Sequence, residues 1–514
     1  MSRGPFTPQD LRQLADRGIT PDEAQRQLEL LISPPAPSSL ERSCTVGDGL
    51  RQLDPERHEE LLARFETAVA AGRVTKFVPA SGAASRMFQR LEPYLDEQSE
   101  LKVTELEKRA GEGEQAAADL LAFCARLTDF AFWDALPSAL RRTLRQDLRR
   151  GSYRRVLVTL LSERGLSYAK LPKALLPFHR YPRGSRTALE EHLAEGLAYA
   201  RDAAGTCRLH FTVPAHYEEP FRSHLETAGN GLPQAADTHF EIALSLQSPA
   251  TDTLAATLDH QPFRCEDGRL LLRPSGHGAL LCNLQELGAD LVFIKNIDNV
   301  VPDHRRGLTV RWKKILGGYL VELQERIFAL LARLHSQPAD DAAVAEALGL
   351  LREHFFLDPA TVPADAAARR AFARERLDRP LRVCGMVPNS GQPGGGPFWV
   401  AGELAPQIVE AAQIDLSCPR QRQIMTSATH FNPVDLVCGL LDWQGRPFDL
   451  QRFVDPRAVF ITRKSHRGQA LKALERPGLW NGSMAYWNTV FVEVPAETFA
   501  PVKTVFDLLK TEHR

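Results

Sequence analysis

Asp298 stands in Ile294-Lys295-Asn296-Ile297-Asp298-Asn299-Val300, at the end of a nearly continuous apolar run that begins at Ala289. A carboxylate just past a buried strand is well placed to hold Mg²⁺, which favours a few carboxylates completed by substrate phosphate oxygens. An Asn/Asp turn cap is the structural alternative. A second stretch, Val74 to Met87 (VTKFVPASGAASRM), has the makings of an anion site. Val74, Phe77 and Val78 read as a buried strand, and Pro79 to Gly82 break it. Ser81, Gly82 and Ala83 keep the backbone bare in front of a helix start, so N–H groups and a helix dipole point at one place. Arg86 adds a charged fork there. An ordinary strand-to-helix turn is the plainer reading.

Three more segments carry candidate chemistry. Lys173 follows a proline in Leu171-Pro172-Lys173-Ala174-Leu175-Leu176-Pro177-Phe178, a rigid setting for an ammonium, although proline-bracketed lysines also occur on plain surfaces. His277 lies between Gly276 and Gly278 in Arg273-Pro274-Ser275-Gly276-His277-Gly278-Ala279; it can hydrogen-bond a base or a phosphate, or simply sit in a turn. Lys503, in Pro501-Val502-Lys503-Thr504, opens the last expected helix. A cation there opposes the helix dipole unless an anion is bound.

The elements that must position these residues alternate between two periodicities. Thr7-Pro8-Gln9-Asp10 and Thr20-Pro21-Asp22-Glu23 are helix starts with a Thr cap and a Pro at the first helical position, the second with a T-x-x-E capping box. Strands are expected at 74–78, 171–178, 209–214, 240–246, 289–296, 381–387, 458–462 and 489–494, with helices over 187–200, 218–226 and 504–510. This alternation implies an α/β fold with an open, mostly parallel sheet whose ligands bind at the strand carboxyl ends. The organisation read from it is a helical N-terminal arm and linker (1–70) and an α/β core (71–314) carrying a helical insertion (89–168). A second helical insertion (315–378) and a strand-rich part that completes the core (379–514) follow.

Composition narrows the function classes. At 514 residues, 43% hydrophobic and 25% charged, the chain is that of a soluble globular protein of more than one lobe. Lys+Arg 63 against Asp+Glu 64 leaves a formal net charge of -1, so no bulk field draws in nucleic acid or anionic membrane. No stretch has the ~18 consecutive apolar residues of a membrane span. The eight cysteines are scattered without a C-x-x-C pair, which argues against zinc and a disulfide framework and fits a cytoplasmic location.

Taken together, these segments resemble the UDP-sugar pyrophosphorylase family of nucleotidyltransferases, and they lie in that family's chain order. Val78 to Met87 is similar to its nucleotide-binding loop and Pro172-Lys173 to its Pro-Lys motif, whose lysine contacts phosphate. Pro274-Ser275-Gly276-His277-Gly278 matches its P-x-G-H-G beside the nucleotide, and Asn296-Ile297-Asp298-Asn299 its N-x-D-N, whose aspartate holds magnesium. Phe499 to Leu509 is similar to its F-x-P-V-K-T-x-x-D-L-L, whose lysine binds the sugar-phosphate side. The chain as a whole also resembles a bacterial family, domain of unknown function 4301. Departures are visible: the loop has the single glycine Gly82, about eighty residues separate Arg86 from Pro172, and Ala279 replaces an acidic residue.

The resemblance implies a nucleotide-diphospho-sugar transferase (Rossmann-like) fold and a Mg²⁺-dependent nucleotidyltransferase. Its substrates would be a nucleoside triphosphate, UTP favoured, and a sugar 1-phosphate. Arg86, Lys173 and Lys503 would be the catalytic cations, Asp298 the metal ligand, and Ser81, Gly82, Ala83, Gly276, His277 and Gly278 the nucleotide contacts. The sugar side is to be sought at residues 385–399, with Gly394-Gly395-Gly396-Pro397-Phe398-Trp399 readable as a flexible lid, and at 426–433; a Gly-rich surface turn and a polar loop are the plainer readings and slightly the favoured ones. Two other readings are a non-catalytic nucleotide or sugar sensor, suggested by Ala83 and Ala84, and a glycosyltransferase, against which the lack of a D-x-D pair counts. Base, sugar and oligomeric state have no recognisable code in the sequence.

Overall fold

The computed structural model describes residues 5–96, 102–228, 232, 237–336, 340–391, 394–403, 405–432 and 435–514. Its centre is an eight-stranded sheet made of β1 (Val74–Pro79), β2 (Thr206–Val213), β3 (His239–Leu246), β4 (Leu291–Lys295), β5 (Leu381–Pro388), β6 (His430–Phe431), β7 (Asp435–Gly439) and β8 (Asn488–Glu493). The order is β3-β2-β1-β4-β7-β5-β8, with the short β6 also paired to β5. Neighbours β3, β2, β1 and β4 are parallel, and so are β5 and β8. β7 runs antiparallel to both β4 and β5, which leaves β5 and β8 pointing the same way as β4. The α/β class and the mostly parallel sheet are therefore as the periodicities imply.

Alternate residues of the central strands feed two apolar layers. Leu291 and Phe293 join one core with Val74, Val78, Val383 and Val437, while Val292 and Ile294 join the other with Phe77, Cys384 and Leu436. Burial on both faces is why β4 reads as an unbroken apolar run. One face is covered by helices α1 (His58–Ala70), α2 (Ala188–Tyr199) and α3 (Arg306–Ser336), the last 31 residues long. Outside these lie α4 (Asp341–Phe355) and α5 (Ala366–Leu377). The N-terminal helices, Pro8–Asp16 and Pro21–Ile32, pack Leu14, Leu28 and Leu31 against Leu254, Ala256 and Leu474 of a separate four-stranded sheet.

Chain order reverses beside β1: β2 and β3 extend the sheet on one side of it, and β4 begins the other side. That reversal opens a crevice at the carboxyl ends of β1 and β4, the usual ligand position in open α/β sheets.

Three local expectations are corrected. Residues 171–178 form a 3₁₀ turn (Lys173–Leu175) before a strand at Pro177–Tyr181, because Pro172 and Pro177 lack the N–H groups a continuous ladder needs. The closing helix is a short 3₁₀ turn, Val505–Leu509. The glycine-rich segment is not a lid: Gly396–Val400 is a strand paired with Leu40–Ser43 on one side and Gln407–Val409 on the other. Its Trp399 lies under the Arg42 guanidinium, 4.4 Å from the ring centroid. Positions 392, 393 and 433 of the expected sugar side lie outside the described residues.

Candidate functional site

Four segments from distant parts of the chain are tied together at the β1–β4 crevice by backbone hydrogen bonds. Beyond β1, Ala80 donates to the Thr212 carbonyl of β2 (3.0 Å), and Ala84 donates to Leu171 (2.9 Å). Both alanines are fully buried, so their small side chains let the turn tuck under the sheet end. Lys173 N–H returns a bond to the Gly82 carbonyl (3.0 Å), fastening the Pro172-Lys173 turn to the loop. On the other wall, Ile297 donates to Pro79 (3.4 Å), Val502 donates to the Asp298 carbonyl (2.9 Å), and the Asn299 amide oxygen accepts from Ala500 (3.0 Å). Ser81, Gly82 and Ala83 remain exposed above this set. A Cβ at Gly82 would meet nothing within 4 Å, so packing does not demand the bare backbone there.

The side chains converge as well. Lys173 Nζ donates to Asp298 Oδ2 at 2.7 Å and to the Val502 carbonyl at 2.6 Å, with its side chain only 9% exposed. Lys503 Nζ stands 5.6 Å from the Phe431 ring centroid. Burial lowers its pKa, opposed by the Asp298 and Asp507 charges and aided by repulsion from Lys173. Lys173, Asp298 and Lys503 thus feel one another directly. Arg86 is exposed on the four-residue helix Ser85–Phe88 and makes no hydrogen bond or ion pair among the described residues.

Lys503 needs no bound anion where it stands. Asp507 Oδ2 accepts from the backbone N–H groups of Lys503 (2.9 Å) and Thr504 (2.6 Å), so a carboxylate of the chain already fills that N-terminus. What remains of Lys503 is its charge beside Asp298.

For Mg²⁺ the fit rests on one carboxylate. Lys173 occupies Asp298 Oδ2, whereas Oδ1 has no partner among the described residues, and the side chain is 22% exposed. No group of three or more His, Cys, Asp or Glu that could hold a metal occurs among the described residues. A single open carboxylate suits Mg²⁺, which keeps waters and takes substrate phosphate oxygens rather than an all-protein cage.

His277 sits in a different network. Its Nδ1 accepts from Leu479 N–H (3.0 Å), Nε2 is 3.3 Å from the Glu410 carboxylate, and the ring stacks on Trp480 with centroids 4.0 Å apart. No hydrogen bond or ion pair among the described residues joins it to Lys173, Asp298 or Lys503. Its flanking glycines have packing reasons: Gly276 has φ +75°, and a Cβ at Gly278 would lie 2.1 Å from the Pro477 carbonyl oxygen.

One supporting cluster escaped sequence reasoning. Lys76 of β1 and Lys295 of β4 both point to Glu195 of α2, at 3.0 and 2.7 Å, and Lys313 of α3 lies 3.8 Å from the same carboxylate and bonds to Asp435. All three lysines are at most 1% exposed. Burial alone pushes Glu195 up, but the charges of Lys295, Lys76 and Lys313 more than offset it and hold the group well below the usual range. Lys76 Nζ also donates to the His192 carbonyl (2.9 Å), and His192 Nε2 is 3.2 Å from the Ile297 carbonyl, one residue before Asp298. The available signal was a lysine inside each of two apolar strands, opposite an acidic helix.

The family model described as Domain of unknown function (DUF4301) matches residues 7–514, so the chain belongs to that family. A search of curated proteins found no match. Among solved structures, the chain is similar to the uridine diphosphate N-acetylglucosamine pyrophosphorylase from Trypanosoma brucei, at 13% identity and TM-score 0.48, covering 95% of this chain and 74% of that one. It is also similar to the UDP-glucose phosphorylase from Trypanosoma brucei (12%, TM-score 0.47, 97% and 77%) and the UDP-glucose pyrophosphorylase from Leishmania major (11%, TM-score 0.42, 97% and 77%).

Proposed function

We propose that this member of the DUF4301 family is a Mg²⁺-dependent nucleotidyltransferase that joins a nucleoside triphosphate, UTP foremost, to a sugar 1-phosphate and releases pyrophosphate. The observation that carries the reading is the meeting of Lys173, Asp298 and Lys503 at the carboxyl ends of β1 and β4, beside an exposed small-residue loop. The five motifs in chain order support it.

In this reaction an oxygen of the sugar phosphate attacks the α-phosphorus of the triphosphate. A new P–O bond forms as the bond to the bridging oxygen breaks, and pyrophosphate leaves with the electron pair. The nucleophile is already ionised, so no general base is required; the obstacle is repulsion between two polyanions. Lys173 is fixed by the Val502 carbonyl and by Pro172, so its ammonium is aimed before substrate arrives. Lys503 brings a second ammonium on an adjacent wall, and Arg86, uncommitted on the loop helix, can fork onto phosphate oxygens. Mg²⁺ held by Asp298 would supply further neutralisation of the developing charge.

Pyrophosphate release from a panel of nucleoside triphosphates and sugar 1-phosphates, with Mg²⁺, tests this in wild type and Asp298→Asn. Release that needs both substrates and falls ~100-fold or more in the variant is expected. A folded protein that binds nucleotide but releases no pyrophosphate from any pair would instead be a non-catalytic sensor.

A further inference from the structure

At the opposite edge of the sheet, where β5 and β8 begin, lies a cleft of about 770 Å³ that the crevice chemistry does not use. Its walls are the carboxyl end of α5, the turn that follows β7, and Tyr486 to Thr489 leading into β8. The volume lies within the range of roughly 300–1,000 Å³ typical of small-molecule sites.

Its charges are only partly answered by the protein. Arg376, half-buried on α5, makes no hydrogen bond or ion pair among the described residues. Among the described residues Arg379, 17% exposed, has carbonyl contacts to Glu375 (3.2 Å) and Tyr486 (3.4 Å), and a carboxylate 3.6 Å away on Glu375, itself 78% exposed. Burial first, and then repulsion from Arg376, bring Arg379 down to about 10. Two guanidiniums that no buried carboxylate pairs with among the described residues form a receptor for an anion.

The same cleft presents the opposite need. Asp378 Oδ1 is buried without a partner among the described residues, and burial together with the Asp442 charge raises that carboxyl group. Asp442 is already engaged by Arg446 at 2.8 Å. Trp487 Nε1 is a second buried polar atom without a partner among the described residues, and its ring, with Tyr486 and Phe448, supplies apolar wall. Each orphaned buried group carries a desolvation cost, so two of them in one cleft, beside the two arginines, mark a place where a ligand completes the bonding.

We propose that this cleft is a second ligand site, for a small zwitterion of the α-amino acid class whose carboxylate meets Arg376 and Arg379 and whose ammonium meets Asp378. Inorganic phosphate would answer the arginines alone, and a simple amine only the aspartate. The site is independent of the proposed transferase activity, because no residue of the β1–β4 crevice lines it.

Calorimetric titration of the full-length protein with the proteinogenic L-amino acids, one at a time, is the test, with acetate, inorganic phosphate and ethylamine as single-charge probes. Saturable binding of at least one amino acid is expected, weakened ~10-fold or more by Arg376→Gln and, separately, by Asp378→Asn. Should Arg376→Gln not fold, Arg376→Lys keeps charge and stem while losing the planar fork, and a comparable loss is expected. No binding by any amino acid, or binding indifferent to both substitutions, would overturn the proposal. So would phosphate binding that depends on Arg376 and not on Asp378, since the site would then take an anion only.

Discussion

Lys173 keeps its ammonium between the Asp298 carboxylate and the Val502 carbonyl, and the turn that carries it is bonded to the Gly82 loop. Such a lysine is either a strut or a catalytic charge, and Lys173→Met separates the two. As a strut it contributes lost hydrogen bonds, on the order of 1–3 kcal/mol, and no more, because Asp298 stays partly hydrated. As a catalytic charge its removal lowers the rate of pyrophosphate release ~100-fold or more at saturating substrate. A variant with a lowered melting temperature and a turnover within tenfold of wild type would demote Lys173 to a strut. The sequence points to these residues by type: a lysine behind a proline, an aspartate past an apolar run. It says less about their bonding, because partners come from afar. Glu23 shows this well. The T-x-x-E pattern predicts that it reaches back to Thr20, yet its carboxylate bonds to Gln27, Arg26 and Arg476, the last more than four hundred residues away. The reciprocal capping box forms instead at Thr7 and Asp10. A distant cation outcompeted a local amide, which no window of sequence reveals.

The long helix α3 meets α1 through Gly317 and Gly318, and this crossing sets how α3 presents Lys313 to the sheet. A Cβ at Gly318 would lie 1.9 Å from the Leu61 carbonyl oxygen, and one at Gly317 would lie 2.5 Å from the Phe65 ring. Two effects compete in Gly318→Ala. Helix propensity favours alanine by roughly 1 kcal/mol. The clash is with backbone, which cannot swing aside, and overpacking of this kind costs about 1–3 kcal/mol or more. The clash wins, so thermal melts should show a lower midpoint for Gly318→Ala; a midpoint at or above wild type would mean that the helices have room to separate. Elements of this sort divide by how much of their cause is local. β4 is readable because both its faces are buried, and α2 because Thr187 and Glu190 form a capping box at its start. The strand at Gly396–Val400 was not readable. Its glycines suggest mobility, but partners at Leu40–Ser43 and Gln407–Val409 hold it flat, and only tertiary pairing makes it a strand.

Across the whole molecule, the crevice at the carboxyl ends followed from strand alternation alone, whereas the cleft at the amino ends depends on which loops the topology gathers there and has no sequence signature. The same long-range burial gives the protein a collective acid response. Burial holds His210 and His354 down to about 4 and His513 to about 3, and it holds His192 well below the ordinary value. In the unfolded chain each takes up a proton near pH ~6.5. Between that value and the depressed one, the unfolded state binds more protons than the native state, so stability rises with pH and is lost as pH falls. Unfolded carboxylates protonate nearer pH ~4, and Lys76, brought down to about 7 chiefly by burial, changes its contribution only above that pH. The interval from pH 6.5 to 5 therefore isolates the histidines, each contributing on the order of 1–2 kcal/mol of lost stability by its lower end. Glu92, Asp252 and Asp378, raised chiefly by burial, act in the opposite sense toward the acid end. The four histidines titrate inside this interval and the three carboxylates mostly below it, which decides the sign: the melting temperature at constant ionic strength should drop by several degrees between pH 6.5 and pH 5. A melting temperature that holds steady or climbs over that interval would mean that these rings are charged, or already hydrated, in the folded protein.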